Sequence, residues 1–107
     1  MKYLFIESRD PFESVDSKYF SELVQGVSRR GNDTTIFLVQ NGVLSARKGS
    51  KHNELIRTLI QNKVEVLADR FSLRERAISS LIEGVKVSDV DQLVEVLFAP
   101  GTKAVWH

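Results

Sequence analysis

Five short apolar runs alternate with segments of helical periodicity along the whole chain, and that alternation leaves few folds open. Tyr3-Leu4-Phe5-Ile6 is a continuous apolar run of the kind a strand buried on both faces requires. Thr34-Thr35-Ile36-Phe37-Leu38-Val39 is β-branched and aromatic, and strands are also expected at Val64 to Ala68, Val85-Lys86-Val87 and Lys103-Ala104-Val105-Trp106. Between them the period changes. Val15, Tyr19, Leu23 and Val27, joined by Phe20 and Val24, recur at helical spacing. Leu55, Ile56, Leu59 and Ile60 do so between Asn53 and Gln61, and Leu73, Ala77, Ile78, Leu81 and Ile82 between Ser72 and Gly84. Val90, Leu93, Val94, Leu97 and Phe98 follow the same rule after Ser88. Neighbouring parallel strands need a long crossover, and a helix supplies it. The expectation is therefore an α/β protein, a three-layer α/β/α arrangement with a five-stranded, mainly parallel sheet. At 107 residues it forms one domain, 1–107, with no room for a second core.

Punctuation residues place the joints. Asp10-Pro11-Phe12-Glu13 reads as a helix start, with Asp10 as cap and Pro11 in the first turn, while Ser14 and Asp16 are alternative caps. Arg29-Arg30 suit a helix C-terminus and Gly31 the position after it. Ser72 and Glu75 have capping-box spacing, which leaves Asp69, Arg70 and Phe71 in the turn after the third strand. Ser88 is the expected cap of the last helix, which Pro100-Gly101 ends.

Several function classes fall away on composition. A net charge of +1 gives no broad basic field, so direct nucleic-acid binding is not expected. The chain has no cysteine, which rules out disulfides, thiolate metal sites and thiol nucleophiles within it. His52 and His107 alone cannot make a histidine-rich metal site. No apolar run approaches the ~20 residues of a membrane span. The run after Met1-Lys2 is too short for a signal peptide, so the expected location is cytoplasmic, away from membranes. Gly42 is followed five residues later by Arg47, not by the second glycine of a P-loop.

Ligands of open α/β sheets gather beyond the carboxyl ends of the strands, near helix N-termini. That directs attention to Asn41, Gly42, Asp69, Arg70, Phe71, Ser72 and Arg74 as pocket or partner-binding candidates. Asp69 reads either as a general base or ligand group, or as a turn residue accepting backbone amides. Arg70, Arg74 and Arg76 read as an anion or partner patch, or as solvated positions. Phe71 reads as a plug under the loop or an interface anchor. Arg47, Lys48, Lys51 and His52 form a local basic cluster without interleaved aromatics. Trp106 reads as a packing or interface residue. No catalytic set and no metal-ligand spacing emerges.

These residues carry a resemblance. Asn41-Gly42-Val43 after the second strand is similar to the Asp-Gly-Val-like turn of the DsrE/DsrF/DsrH family and its TusB/TusC/TusD relatives. Ser72-Leu73-Arg74-Glu75-Arg76-Ala77-Ile78 resembles the family's (Ser/Ala)-Leu…Arg-Gly-(Leu/Ile) helix, with Ala77 in place of the glycine. Gly84-Val85-Lys86-Val87-Ser88 and a final strand ending in Trp106 fit as well, and the ending is most like DsrH/TusB. The resemblance implies a DsrE-like fold and a place in a sulfur relay serving tRNA thiolation or sulfur oxidation. Carrier members of the family hold a persulfide on a cysteine at the end of strand three, where this chain has Asp69. A carboxylate cannot do that work, because a polarizable thiolate must attack the sulfur. The implied role is a non-catalytic subunit, without cofactor, that assembles with cysteine-bearing DsrE/DsrF-like paralogues. The alternative is a homo-oligomeric small-ligand or anion-binding domain using Asp69, Arg70 and the amides of the helix at Ser72.

Overall fold

The computed structural model describes residues 1–11 and 13–107. Strand β1 (Lys2–Glu7) leads to helix α1 (Asp16–Arg29), and β2 (Asp33–Leu38) to a 3-10 helix (Gln40–Ala46) and α2 (Asn53–Gln61). Then come β3 (Glu65–Asp69), α3 (Arg70–Glu75), β4 (Lys86–Ser88), α4 (Val90–Leu97) and β5 (Thr102–Trp106). The five strands form one sheet in the order β4-β3-β2-β1-β5, and every pairing is parallel. This is the three-layer α/β architecture expected from the alternation.

The two faces of the sheet are covered unequally. On one, Phe5, Ile36, Leu38, Val66 and Ala68 pack with Phe20 and Val24 of α1, Ile56 and Leu59 of α2, Val43 of the 3-10 helix, and Leu73 and Ile82. On the other, Leu4, Ile6, Phe37 and Leu67 meet Leu93, Val96 and Leu97 of α4. A single helix of 8 residues, ~12 Å long, roofs that second face.

Several helix details differ from the sequence expectation, each for a physical reason. Helix α1 begins at Asp16, and no side chain caps it. The Asp10 carbonyl instead accepts from Glu13 and Ser14 amides in a turn that precedes it, and Phe12 lies outside the described residues. The buried stripe of α1 is Ser17, Phe20, Ser21, Val24 and Gln25, while Val15, Tyr19 and Leu23 face outward. Phe20 decides this rotation: its ring meets Phe5 edge-on at 5.6 Å and stacks on His107 at 4.6 Å. The small Ser17 and Ser21 then let the helix approach the sheet closely.

The helix expected to run from Ser72 to Gly84 is a short one, starting earlier and ending at Glu75. Its N-cap is Asp69, not Ser72. Ala77 ends it in the left-handed region (φ 53°), with Ile78 N–H donating to Leu73 O at 2.9 Å and Ala77 N–H to Arg74 O at 3.1 Å. Those two bonds make a Schellman motif, whose left-handed residue is usually glycine. Ile78, Leu81 and Ile82 thus reach the core from an extended strap, not from a helix. The strap is held by Ile82 N–H to Ala46 O (3.0 Å) and Lys48 N–H to Ser80 O (2.9 Å). Helix α4 is likewise capped one residue later than expected, by Asp89, whose carboxylate accepts from Gln92 N–H at 3.0 Å. Ser88 is the last residue of β4.

At the other edge, His107 fastens β5 to β1. Its N–H donates to Ile6 O at 2.8 Å, and its carbonyl accepts from Ser8 N–H at 3.0 Å and Ser8 Oγ at 2.9 Å. Its ring Nδ1 lies 2.9 and 3.0 Å from the two carboxylate oxygens of buried Glu7. Burial pushes the Glu7 carboxyl above its ordinary value of 4.5, and the Arg9 amide and His107 only partly counter this.

Two predictions follow from this geometry. Ala77→Gly removes the steric penalty of a left-handed alanine at an exposed site, so it should raise stability by about 0.5–1 kcal/mol in urea denaturation. Because Glu7 is raised, the fold favours its neutral form, and that contribution is complete below pH 4.5 and lost as pH rises through the elevated value. Glu7→Gln should therefore match the parent protein in acid and become progressively more stable than it as pH rises from 4.5. Denaturation midpoints in a pH series check this, and parallel curves for the two proteins would contradict it.

Candidate partner interface at the carboxyl ends of the strands

The ends of β2 and β3 are joined by a chain of hydrogen bonds through two of the candidate positions, Asp69 and Ser72. Asp69 closes β3 and is 4% exposed, so its carboxylate points inward. Its Oδ2 accepts from Ser72 N–H at 2.9 Å and from Ser72 Oγ at 2.7 Å. Ser72 Oγ in turn accepts from Gln40 N–H at 2.8 Å, at a residue with φ 50° just after β2. Asp69 thus accepts a backbone amide in the turn. Its Oδ1 is buried with no hydrogen-bond partner among the described residues.

A second set of bonds ties down Asn41. Arg76 Nε and Nη2 donate to Asn41 Oδ1 at 3.1 and 3.0 Å, and Arg76 Nη1 to Ser72 O at 3.2 Å. Asn41 Nδ2 donates to Glu13 Oε1 at 2.6 Å. Arg76 is therefore a brace between α3 and the 3-10 helix, not a free cation. Gly42 is buried, and a Cβ there would lie 2.1 Å from the Glu7 carbonyl oxygen. It is a residue of close packing rather than a surface group.

The remaining candidates do face outward. Arg70, Phe71 and Arg74 border a hollow of about 270 Å³ with Asp69, Asp89, Val90 and Asp91. Phe71 is 61% exposed, which makes it an available anchor and not a plug. Arg70 Nη1 lies 3.7 Å from Asp89 Oδ2, a loose and exposed pair worth little stability. The Arg47–His52 cluster does not join this hollow. Lys48 instead borders a separate one with Arg57, Leu81 and Glu83. An anion at the start of α3 would meet Ser72 N–H already engaged by the Asp69 carboxylate.

Sequence reasoning missed the part of this surface that α4 contributes. Val90, Val94 and Phe98 were expected inside, yet they are 53%, 45% and 79% exposed, at i, i+4 and i+8 on one stripe. Trp106 of neighbouring β5 is 66% exposed. A signal was present: five of the eight residues in VDQLVEVL are apolar, more than one buried stripe of a short helix can use. The outcome is an apolar, aromatic-bearing surface with Phe71 at one end, beside the Asp69 turn. Among the described residues no group of His, Cys, Asp or Glu is arranged to hold a metal ion, and no helix is long and apolar enough to cross a membrane.

Asp69→Ala should lower stability by about 2 kcal/mol, since it strands the Ser72 amide and loosens the Gln40 contact. Asp69→Asn keeps an acceptor and should lose less than about 1 kcal/mol. Urea denaturation measures both, and an alanine variant as stable as the parent would show that the cap contributes nothing.

The whole architecture has counterparts among known structures. The ychN protein of E. coli superposes with a TM-score of 0.90 at 17% identity, over 100% of this chain and 99% of that one. A protein of unknown function from Methanobacterium thermoautotrophicum, MTH1491, superposes with a TM-score of 0.81 at 19% identity, covering 99% and 97%. BT1422 of Bacteroides thetaiotaomicron, also of unknown function, gives 0.79 at 18% identity, covering 99% and 94%. Identities this low establish a shared fold and nothing more. No curated protein matches the sequence. The DsrE/DsrF-like family profile, however, matches residues 1–100, and with the strand order and the β3–α3 turn already described, this chain belongs to the DsrE/DsrF-like family.

Proposed function

We propose that this chain is a non-carrier subunit of a cytoplasmic sulfur-relay assembly, of the DsrEFH/TusBCD kind and closest to the DsrH/TusB type. The observation that carries the reading is the state of position 69. At the end of β3, where the resemblance puts a persulfide-bearing cysteine, the side chain is a buried carboxylate serving as the cap of α3. With no cysteine anywhere in its 107 residues, the chain has no group able to accept sulfane sulfur. Its contribution is then contact with subunits that do. The exposed Phe71, Val90, Val94, Phe98 and Trp106 supply the aromatic and aliphatic anchors such contacts use, and Arg70, Arg74, Asp89 and Asp91 a polar rim. Covering a neighbour's persulfide would shield it from water, which is a useful task for a subunit without chemistry of its own. The transferred sulfur serves tRNA thiolation or sulfur oxidation, according to the partners.

Affinity capture of the tagged chain from its host, followed by mass spectrometry, should recover cysteine-bearing DsrE/DsrF-like paralogues in stoichiometric amounts. Phe98→Glu, at a position 79% exposed, should leave the circular dichroism spectrum unchanged and reduce that capture at least tenfold. Recovery of the chain without such paralogues would overturn the relay reading.

A further inference from the structure

A second exposed apolar stripe lies on the far side of the sheet, on α1. Val15, Tyr19 and Leu23 are 84%, 68% and 51% exposed, although the other side of the same helix is buried against Phe5 and Ile36. Gly26 and Arg30 continue the line, so positions 15, 19, 23, 26 and 30 advance in steps of four, four, three and four. That is the spacing of a helix–helix seam. At Gly26 a Cβ would meet nothing within 4 Å, and the glycine opens a hollow of about 300 Å³ bordered by Leu23, Val27, Glu22 and Arg30. A hollow of that size accepts a ring.

The charges along this stripe select its partner. Asp16 stands at the start of the helix and Arg30 just after its end, and neither takes part in a salt bridge among the described residues. Arg29, by contrast, is held at home by Asn62 Oδ1 at 3.0 Å and Gln25 Oε1 at 3.1 Å. We propose that α1 pairs antiparallel with α1 of a second copy of this chain, about a two-fold axis at Leu23. In that register Leu23 meets Leu23, and Tyr19 of each copy enters the Gly26–Val27 hollow of the other. Asp16 then faces Arg30 twice, and the helix dipoles oppose each other head to tail. A parallel pairing would instead set Arg30 against Arg30 and Asp16 against Asp16. The stripe is thus self-complementary in one direction only. A contact ~20 Å long is at the small end of specific interfaces, so the dimer should be weak, with a dissociation constant of about 1–100 μM. The surface is on the opposite face from α4, so it is independent of the relay reading.

Sedimentation equilibrium of the purified chain, alone and over a concentration series, should show a monomer–dimer equilibrium. Leu23→Glu places two like charges on the axis and should give monomer throughout, with an unchanged circular dichroism spectrum. Asp16→Arg alone and Arg30→Asp alone should each weaken dimerisation roughly 3- to 10-fold, and the double exchange should restore it. Phe98→Glu should leave the equilibrium unmoved. A chain monomeric at several hundred micromolar, or a dimer abolished by Phe98→Glu but indifferent to the Asp16 and Arg30 exchanges, would overturn the proposal.

Discussion

A five-stranded parallel sheet has two apolar faces, and this chain has helices enough to bury one of them well. Helices α1 and α2, the 3-10 helix and the 78–82 strap all pack on the Phe5 side, and among the described residues α4 is the helix that covers Leu4, Ile6, Phe37 and Leu67. This imbalance governs much of what is distinctive about the surface. A lone short helix cannot turn all of its apolar residues toward the sheet, so Val90, Val94 and Phe98 remain outside with Trp106. Exposed apolar groups grouped in this way mark interaction surfaces. The exposed stripe is in this sense a consequence of how the sheet is covered, and it is the surface on which the proposed role places partner contacts.

The β3–α3 junction shows how one carboxylate can join two strands and a helix. A side chain at the end of a central strand and the start of a helix is close to free amides and at the rim of a crevice. Here that position holds a carboxylate, and its Oδ2 is committed to Ser72, and through Ser72 to Gln40. The result is a firm joint between β2, β3 and α3. The local rigidity is reinforced by Arg76, which links Asn41 to the Ser72 carbonyl.

Much of the fold was legible in the sequence because strands and crossovers have different periods, and the alternation of the two dictates parallel pairing. All five strands and the bounds of α2 follow from that reading. The rotation of α1 was not legible, since six apolar residues there define two overlapping stripes and the contacts of Phe20 with Phe5 and His107 choose between them. Nor was the early end of α3. Residues 73–82 carry a good helical pattern, but Ala77 turns left-handed, a conformation that glycine adopts more readily, and tertiary bonds to Ala46 and Lys48 draw the strap out straight. For the candidate site, Asp69 was recognisable as a turn acceptor, but the cap frame was shifted by three residues because Ser72 and Glu75 imitate a capping box. Phe71 was identifiable as a candidate anchor. The α4 stripe was not, because burial of a periodic pattern is an inference about which neighbours exist, and a helix alone on its face lacks them.

The place of β1 in the sheet carries a consequence for how the protein is made. One side of β1 pairs with β2, some thirty residues downstream, and the other with β5, one hundred residues away. During synthesis, or in an early refolding intermediate, the second edge of β1, whose residues 4–7 are all buried, therefore stays open until residues 102–106 are available. Closing so long a loop is entropically slow, and an open strand edge invites pairing with other chains in the meantime. The clamp of His107 on Ile6, Ser8, Glu7 and Phe20 closes this edge. Damage to residues 102–107 would then register first as aggregation during biogenesis rather than as a lower melting temperature of the protein that succeeds in folding.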